Sequence, residues 1–392
     1  MNPHMTLKNL LALGVLMVSP AIATAQQALN NGAGIVSPQI NSDNYLTLRL
    51  FAPKAQSVTV AGDFPVEFTS SKDSVGVWEF TSSEALPPEL YSYAFDVDGV
   101  RTLDPANVYT VRDVATLSNI LLVDGGKDGL YAVNDVPHGS VTRQWYDSPT
   151  LGFKRRLSVY TPPGYEASNE NYPVLYLLHG MGGDEEAWLA LGRVAQILDN
   201  LIAQGKAQPM IVVMTNGNAS QQAAPGESPA GLNPPSFQLP KTMDGSFETS
   251  FPEIVNFIDN NYRTKADKSS RAIAGLSMGG FHSMHISKQY PDMFDYVGLF
   301  SAAVMREGTK SPIYDNFDDK LATQFEKKPA LYWIGIGIDD FLYDQNTEFR
   351  AMLELMGYPF TYMETPEGHI WKNWRIYLSE FAPLLFQGPT RN

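Results

Sequence analysis

Cysteine is absent from this 392-residue chain. Disulfides, thiolate nucleophiles and thiolate metal sites are thereby excluded. Charge is sparse as well, at 18% of residues, and its balance is acidic, with a formal net charge of −14. That deficit of positive charge argues against nucleic acid and anionic membrane surfaces as partners, since both select basic patches. A neutral polysaccharide is compatible with it. Histidine numbers only six, so any chemistry that needs an imidazole has few candidates. The apolar run at residues 10–18 is too short to span a bilayer, so no membrane span is expected.

That run belongs instead to a pattern read as a secretory signal over residues 1–25. Lys8 supplies positive charge, the apolar stretch follows, and Ala23, Thr24 and Ala25 form a small-residue cleavage site. With no cysteine after the cleavage site, lipid attachment there is excluded. The expected location is periplasmic or secreted.

Hydrophobic residues are plentiful at 44%, and aromatics generous at 20 Phe, 19 Tyr and 6 Trp, enough for a large core. Short alternating patterns open the chain after a polar lead-in: Leu46, Leu48 and Leu50, then Val58 and Val60, then Tyr91, Tyr93, Phe95 and Val97. Asp98-Gly99 closes the last of these as a hairpin turn. Such spacing predicts a small all-β sandwich over residues 38–125. Residues 126–141, rich in Gly, Asp and Pro and containing His138, read as a linker.

From residue 142 strands and helices alternate. The run at 172–179 is almost wholly apolar, as a buried parallel strand requires. Apolar residues at helical spacing predict a helix over 187–206, and another over 247–262 with Pro252 in its first turn. Further strands are expected at 209–214, 296–300, 330–338 and 360–364, with helices at 345–356 and 371–386. Residues 142–388 are therefore read as an α/β domain, its sheet mostly parallel with helices on both faces. The irregular stretch 216–246 follows a strand's C-terminal end and is expected at the rim of a site, or as an insertion without substrate contact.

The centre of this domain is Gly275, Ser277 and Gly279, flanked by an apolar strand and a helix-like segment. Gly-x-Ser-x-Gly between strand and helix is the nucleophile elbow of the α/β-hydrolase fold. Ser277 is thus the expected nucleophile. Among the histidines, only His369 lies beyond the elbow and its helix, in a loop after the last expected strand, and it is the expected general base. The acid should end the preceding strand, where Asp339 and Asp340 both stand; spacing does not choose between them. An oxyanion hole needs two backbone N–H groups. Met278 supplies one, and Met181, with Gly182 as the alternative, supplies the other from the Gly-rich stretch 179–183. Gly182, Trp188 and Trp371 are expected substrate contacts. No metal and no organic cofactor is implied.

Two resemblances sharpen this reading. Phe51-Ala-Pro, Val60-Ala-Gly-Asp-Phe64, Gly76-Val-Trp78, Leu90-Tyr-Ser-Tyr93 and Asp104-Pro-Ala-Asn107 resemble an immunoglobulin-like module of the family-48 carbohydrate-binding type. A glycan platform or a docking role are both open for it. Val159-Tyr-Thr-Pro-Pro-Gly-Tyr165, the run ending His179-Gly180, the elbow, Asp339-Asp-Phe-Leu-Tyr343 and Glu367-Gly-His-Ile-Trp371 resemble carbohydrate esterase family one, the feruloyl and acetylxylan esterases related to esterase D. That resemblance implies Asp340 as the acid. It also implies ester hydrolysis on plant cell-wall polysaccharide, feruloylated or acetylated xylan. Feruloyl side chains are the expected substrate. The alternatives are an acetylxylan or siderophore esterase, or an inactive carbohydrate-binding protein. A chain beginning near Gly139 is expected still to cleave a small soluble feruloyl ester, since every candidate catalytic residue lies beyond that point, and to be slower on polymeric arabinoxylan.

Overall fold

The computed structural model describes residues 34–114, 116–227, 239–305 and 311–387. The expected signal segment lies outside them. Among the described residues no helix is long and apolar enough to cross a membrane.

The N-terminal part is two antiparallel sheets face to face. One orders the strands Gln39–Ile40, Leu46–Phe51, Val77–Ser82 and Phe68–Lys72; the other orders Val58–Gly62, Leu90–Val97, Thr116–Leu122 and Thr110–Asp113, with Val100–Thr102 beside Leu90–Val97. The alternation seen in the sequence is the inward face: Leu46, Leu48, Tyr93 and Phe95 are buried between the sheets with Phe80. Trp78 is half-buried. Its indole N–H donates to the Ala52 carbonyl at 3.0 Å, and the Lys72 ammonium lies 4.8 Å from its ring, so it belongs to the fabric of the sheet.

The larger part holds an eight-stranded sheet ordered Ser140–Ser148, Phe153–Thr161, Ile211–Thr215, Val174–Leu178, Arg271–Leu276, Tyr296–Phe300, Leu331–Gly337 and Thr361–Thr365. The first two pairings are antiparallel and the rest parallel. Val174 through Leu178 are buried without exception, because helices cover both faces and leave no solvent side for a polar residue.

Three local expectations are corrected. The helix expected over 187–206 is broken into Ala187–Ala190 and Val194–Ala203. Arg193 between them has a φ of 54°, and a Cβ on Gly192 would fall 2.4 Å from the Trp188 ring, so the chain turns tightly over that indole. Pro252 lies in the second turn of the helix Ser246–Asn261, not the first. The stretch 126–141 is no loose linker. Leu130 and Tyr131 are buried, Asn200 donates to the carbonyls of Leu130 and Ala132, and Asp199 receives the Gly139 amide at 2.9 Å beside His138 at 3.0 Å. The sheet's edge strand already begins at Ser140. Composition favours flexibility here, but buried polar anchors override it.

The two parts are tied together by buried ions. Arg375, on the helix Trp371–Phe381, reaches Glu89 of the sandwich at 3.0 Å and the Leu90 carbonyl at 3.1 Å, with side-chain exposures of 2% and 7% for the ion pair. Arg112 pairs with Asp184 and donates to the Gly182 carbonyl at 3.2 Å. Replacing Glu89 with Ala in the intact chain should cost about 3–5 kcal/mol, since Arg375 would stay buried without its counter-charge. Denaturant unfolding checks it, and a loss below about 1 kcal/mol would contradict the pairing's role.

Candidate active site

Ser277 sits between the strand Arg271–Leu276 and the helix Met278–Gln289, at φ 54° and ψ −115°. That conformation is costly for a side-chain-bearing residue, and its surroundings enforce it. The Ser277 amide donates to the Phe300 carbonyl at 2.8 Å, and the Ser277 carbonyl accepts from Ala303 at 3.1 Å. Glycine is required on both sides. A Cβ on Gly275 would lie 2.4 Å from the Gly279 backbone, and one on Gly279 would lie 2.5 Å from the Leu178 carbonyl. The side chain is thereby lifted into a cavity of about 230 Å³, whose walls include Met181, Phe341, His369, Trp371 and Trp374.

His369 and its partner explain themselves electrostatically. The imidazole Nδ1 is 2.8 and 3.0 Å from the two carboxylate oxygens of Asp340, whose side chain is fully buried. Asp340 also accepts from the Leu342 amide at 2.9 Å. Burial works to raise its pKa, but the hydrogen bond and charge of His369, together with that amide and Ser301, hold it below the usual carboxylate range. Such an anion fixes the proton on Nδ1 and leaves Nε2 as the basic nitrogen. The choice between the two aspartates follows from the turn: Asp339 is exposed and Asp340 points inward. Phe341 and Trp374 pack on the imidazole at centroid distances of 4.5 and 5.0 Å and restrict its rotation. Asp340→Asn should therefore lower kcat by at least about 10³-fold, while Asp339→Asn stays within about threefold of wild type. Steady-state kinetics of the two variants check this, and equal losses would refute it.

The stretch 179–183 lies across the cavity from the elbow, with Gly180, Met181 and Gly183 at the wall. His179 organises it. Its Nε2 accepts the Gly217 amide at 2.8 Å, so the proton is on Nδ1, which donates to the Gly180 carbonyl at 2.6 Å. Burial lowers its pKa to about 3, and the ring stays neutral across the working range. The Asn218 side chain holds the Gly183 carbonyl at 2.8 Å. Asn216, Asn218 and Gln221 are buried in this polar knot, so the first part of the irregular stretch supports the site from behind; residues 228–238 lie outside the described residues.

The expected substrate contacts divide. Trp371 lines the cavity. Trp188 does not: it is completely buried, donates to the Leu178 carbonyl at 3.0 Å and meets Trp371 edge-on at 5.3 Å, so it supports the Trp371 ring from beneath. Gly182 also turns away, at φ 77° against the Val114 side chain, where a Cβ would fall 2.5 Å from Cγ1. What sequence reading misses is the hairpin 110–122 of the sandwich, which brings Asp113 and Val114 into the cavity wall. Nothing in the local pattern of a β-hairpin announces a site in another part of the chain. His282 and His285, both buried in the helix after the elbow, are packing residues as expected. Among the described residues, no cluster of three or more His, Asp or Glu side chains could hold a metal ion.

With this geometry in view, the comparisons are direct. The Esterase family model matches residues 148–383. The chain belongs to this family. The model of carbohydrate-binding module 48, the isoamylase N-terminal domain, matches residues 35–109, so the combination suggested by the sequence is borne out. An endo-1,4-beta-xylanase/feruloyl esterase of Xylanibacter ruminicola is 34% identical over 291 residues, 72% of this chain. This esterase chain spans only 38% of that relative's length. A solved ferulic acid esterase, 28% identical, covers 63% of this chain and 97% of its own at a TM-score of 0.52. The enterobactin esterase of Shigella flexneri, 15% identical, aligns over 86% of this chain and 92% of its own at a TM-score of 0.60, which is a likeness of fold. The α/β-hydrolase fold preceded by an all-β module is thus the architecture of the esterase.

Proposed function

We infer that this esterase is an exported serine hydrolase that cleaves feruloyl (hydroxycinnamoyl) ester side chains of plant xylan. The observation that carries the chemistry is a strained Ser277 opening into the same cavity as His369, whose other nitrogen is held by the buried Asp340. Ser277 Oγ attacks the ester carbonyl and His369 Nε2 takes its proton. The amides of Met278, first in its helix, and Met181 receive the developing oxyanion, aided by the helix dipole. Collapse of the tetrahedral adduct expels the sugar alcohol, which takes the proton from His369. Water then repeats the sequence on the acyl-enzyme and releases the acid.

The acyl group is inferred from the walls. Phe341, Trp371 and Trp374 make the cavity wall largely aromatic, a lining suited to an aromatic acid and one that an acetyl group would leave mostly unused. The feruloyl esterase similarity over most of this chain supports the same acid. Arabinoxylan carrying both groups provides the test. Ferulate should be released at least about tenfold faster than acetate at equal ester concentration. Acetate release without ferulate would overturn the acyl assignment.

A further inference from the structure

Arg155, in the strand Phe153–Thr161, is fully buried. Its neighbour Arg156 is buried against carboxylates, those of Glu185, Glu186 and Glu227 at 2.7, 3.0 and 2.9 Å. Arg155 has no carboxylate partner among the described residues. Its guanidinium donates only to neutral oxygens: the carbonyls of Asn216 at 2.6 Å, Asn218 at 2.9 Å and Gln221 at 3.2 Å, and the Tyr146 hydroxyl at 3.3 Å. A permanent cation buried without a counter-charge is costly, so a function is expected of it.

Those carbonyls lead to the catalytic cavity. The Asn216 carbonyl shares its peptide unit with the Gly217 N–H, which donates to His179 Nε2 at 2.8 Å. His179 Nδ1–H donates to the Gly180 carbonyl at 2.6 Å. That carbonyl shares its peptide unit with the Met181 N–H, which makes no hydrogen bond to a described residue and belongs to the cavity wall. We propose that Arg155 is a positioning residue of the oxyanion hole, the origin of a polarised relay running through the Asn216–Gly217 peptide, the His179 ring and the Gly180–Met181 peptide to the Met181 amide. The proposal rests on the serine-esterase reading, with Met181 as the second oxyanion donor.

Every link acts in the same sense. A cation at a carbonyl oxygen draws electron density across the conjugated peptide and makes its N–H a stronger donor, and each bond in such a chain strengthens the next. In a trans peptide the C=O and N–H point to opposite sides. Holding the Gly180 carbonyl towards His179 therefore turns the Met181 N–H away from that ring. The Gly183 amide, 3.1 Å from the same carbonyl, fixes it further. The relay moves no proton: burial lowers the His179 pKa to about 3, the Arg155 charge works in the same direction, and the neutral ring keeps its one proton on Nδ1. The loop gathered around Arg155 also sends the Asn216 side chain to Glu185 at 2.9 Å and that of Asn218 to the Gly183 carbonyl at 2.8 Å. One buried charge thus sets both the place and the strength of the donor.

Two substitutions in the full chain separate charge from hydrogen bonding. Arg155→Lys keeps the cation and loses the planar fork, whereas Arg155→Gln keeps amide donors and loses the cation. The substrate is 4-nitrophenyl acetate, whose reactivity does not hinge on the acyl assignment. The Lys variant should keep kcat within about threefold of wild type and the Gln variant should lose at least about tenfold, with KM within about twofold in both. The second readout is inhibition by an aryl trifluoromethyl ketone, to which Ser277 Oγ adds to give a tetrahedral oxyanion, against the matching methyl ketone, which binds without adding. The ratio of the two affinities should fall at least about tenfold in the Gln variant and hold within about threefold in the Lys variant. A folded Gln variant with kcat and affinity ratio within about twofold of wild type would overturn the proposal, as would a loss carried by KM. If the Gln variant does not fold, the Lys variant decides: a fall of about tenfold in kcat or in the ratio, despite the retained charge, overturns the proposal, and retention of both upholds it. Failure of the serine-esterase reading shows separately, as a wild type that binds the two ketones alike.

Discussion

Ser277→Ala is expected to lower ester hydrolysis by at least about 10³-fold without loss of the fold. The chain has no cysteine to stand in as nucleophile, and the remaining amides and apolar walls bind an ester without opening it. Activity within a factor of about ten of wild type would refute the assignment. The same residue offers a stability test. At φ 54° an alanine inherits the strain of the serine, whereas glycine does not. Ser277→Gly should therefore be more stable than Ser277→Ala by about 1–2 kcal/mol, though equally inactive. Chemical unfolding of the pair measures the difference. No difference would mean that the elbow stores no strain of consequence.

The second large effect concerns the β module. A chain beginning at Gly139 keeps Ser277, Asp340 and His369, and a tethered module would leave small-ester hydrolysis intact. The structure argues otherwise. Without the hairpin, the cavity loses Asp113 and Val114 from its wall, Gly182 loses its packing partner, and Asp184 loses Arg112. The stretch 179–183, the proposed second side of the oxyanion hole, is then braced from one side only, by His179 and Asn218. Hydrolysis of methyl ferulate by the shortened chain should drop about 10- to 100-fold in kcat/KM, since a misplacement near 1 Å is enough for that. Loss confined to polymeric arabinoxylan would restore the tethered picture. Glu89→Ala in the intact chain separates stability from site geometry, because it weakens the docking while leaving the hairpin in place.

Much of the esterase was legible because its signals are local. The elbow needs small residues at Gly275 and Gly279 for steric reasons that do not depend on the rest of the fold, so motif and geometry coincide. Apolar runs such as 174–178 declare strands covered on both faces, and the alternation at Leu46, Leu48 and Leu50 declares one face of a sandwich. His369 followed from order along the chain and from the scarcity of histidine. Trp188 was misassigned because its neighbours in sequence say nothing about depth. Its indole is satisfied by a carbonyl inside the core, and the ring beside it, Trp371, takes the surface.

By itself, then, the sequence determined the two-part architecture and singled out Ser277 and His369 as the candidate nucleophile and base, since each is encoded by residues close together or by the absence of competitors. Tertiary structure decided three matters that spacing along the chain left open. It turned Asp340 inward and Asp339 outward, a difference of side-chain direction at a strand end that the order of two identical residues does not contain. It anchored the stretch 126–141 to the core, because Asp199 and Asn200 on a distant helix satisfy the backbone of Leu130, Ala132 and Gly139. It also placed the module's hairpin over the catalytic cavity, because buried ion pairs between residues as far apart as Glu89 and Arg375 are formed only when the chain has folded.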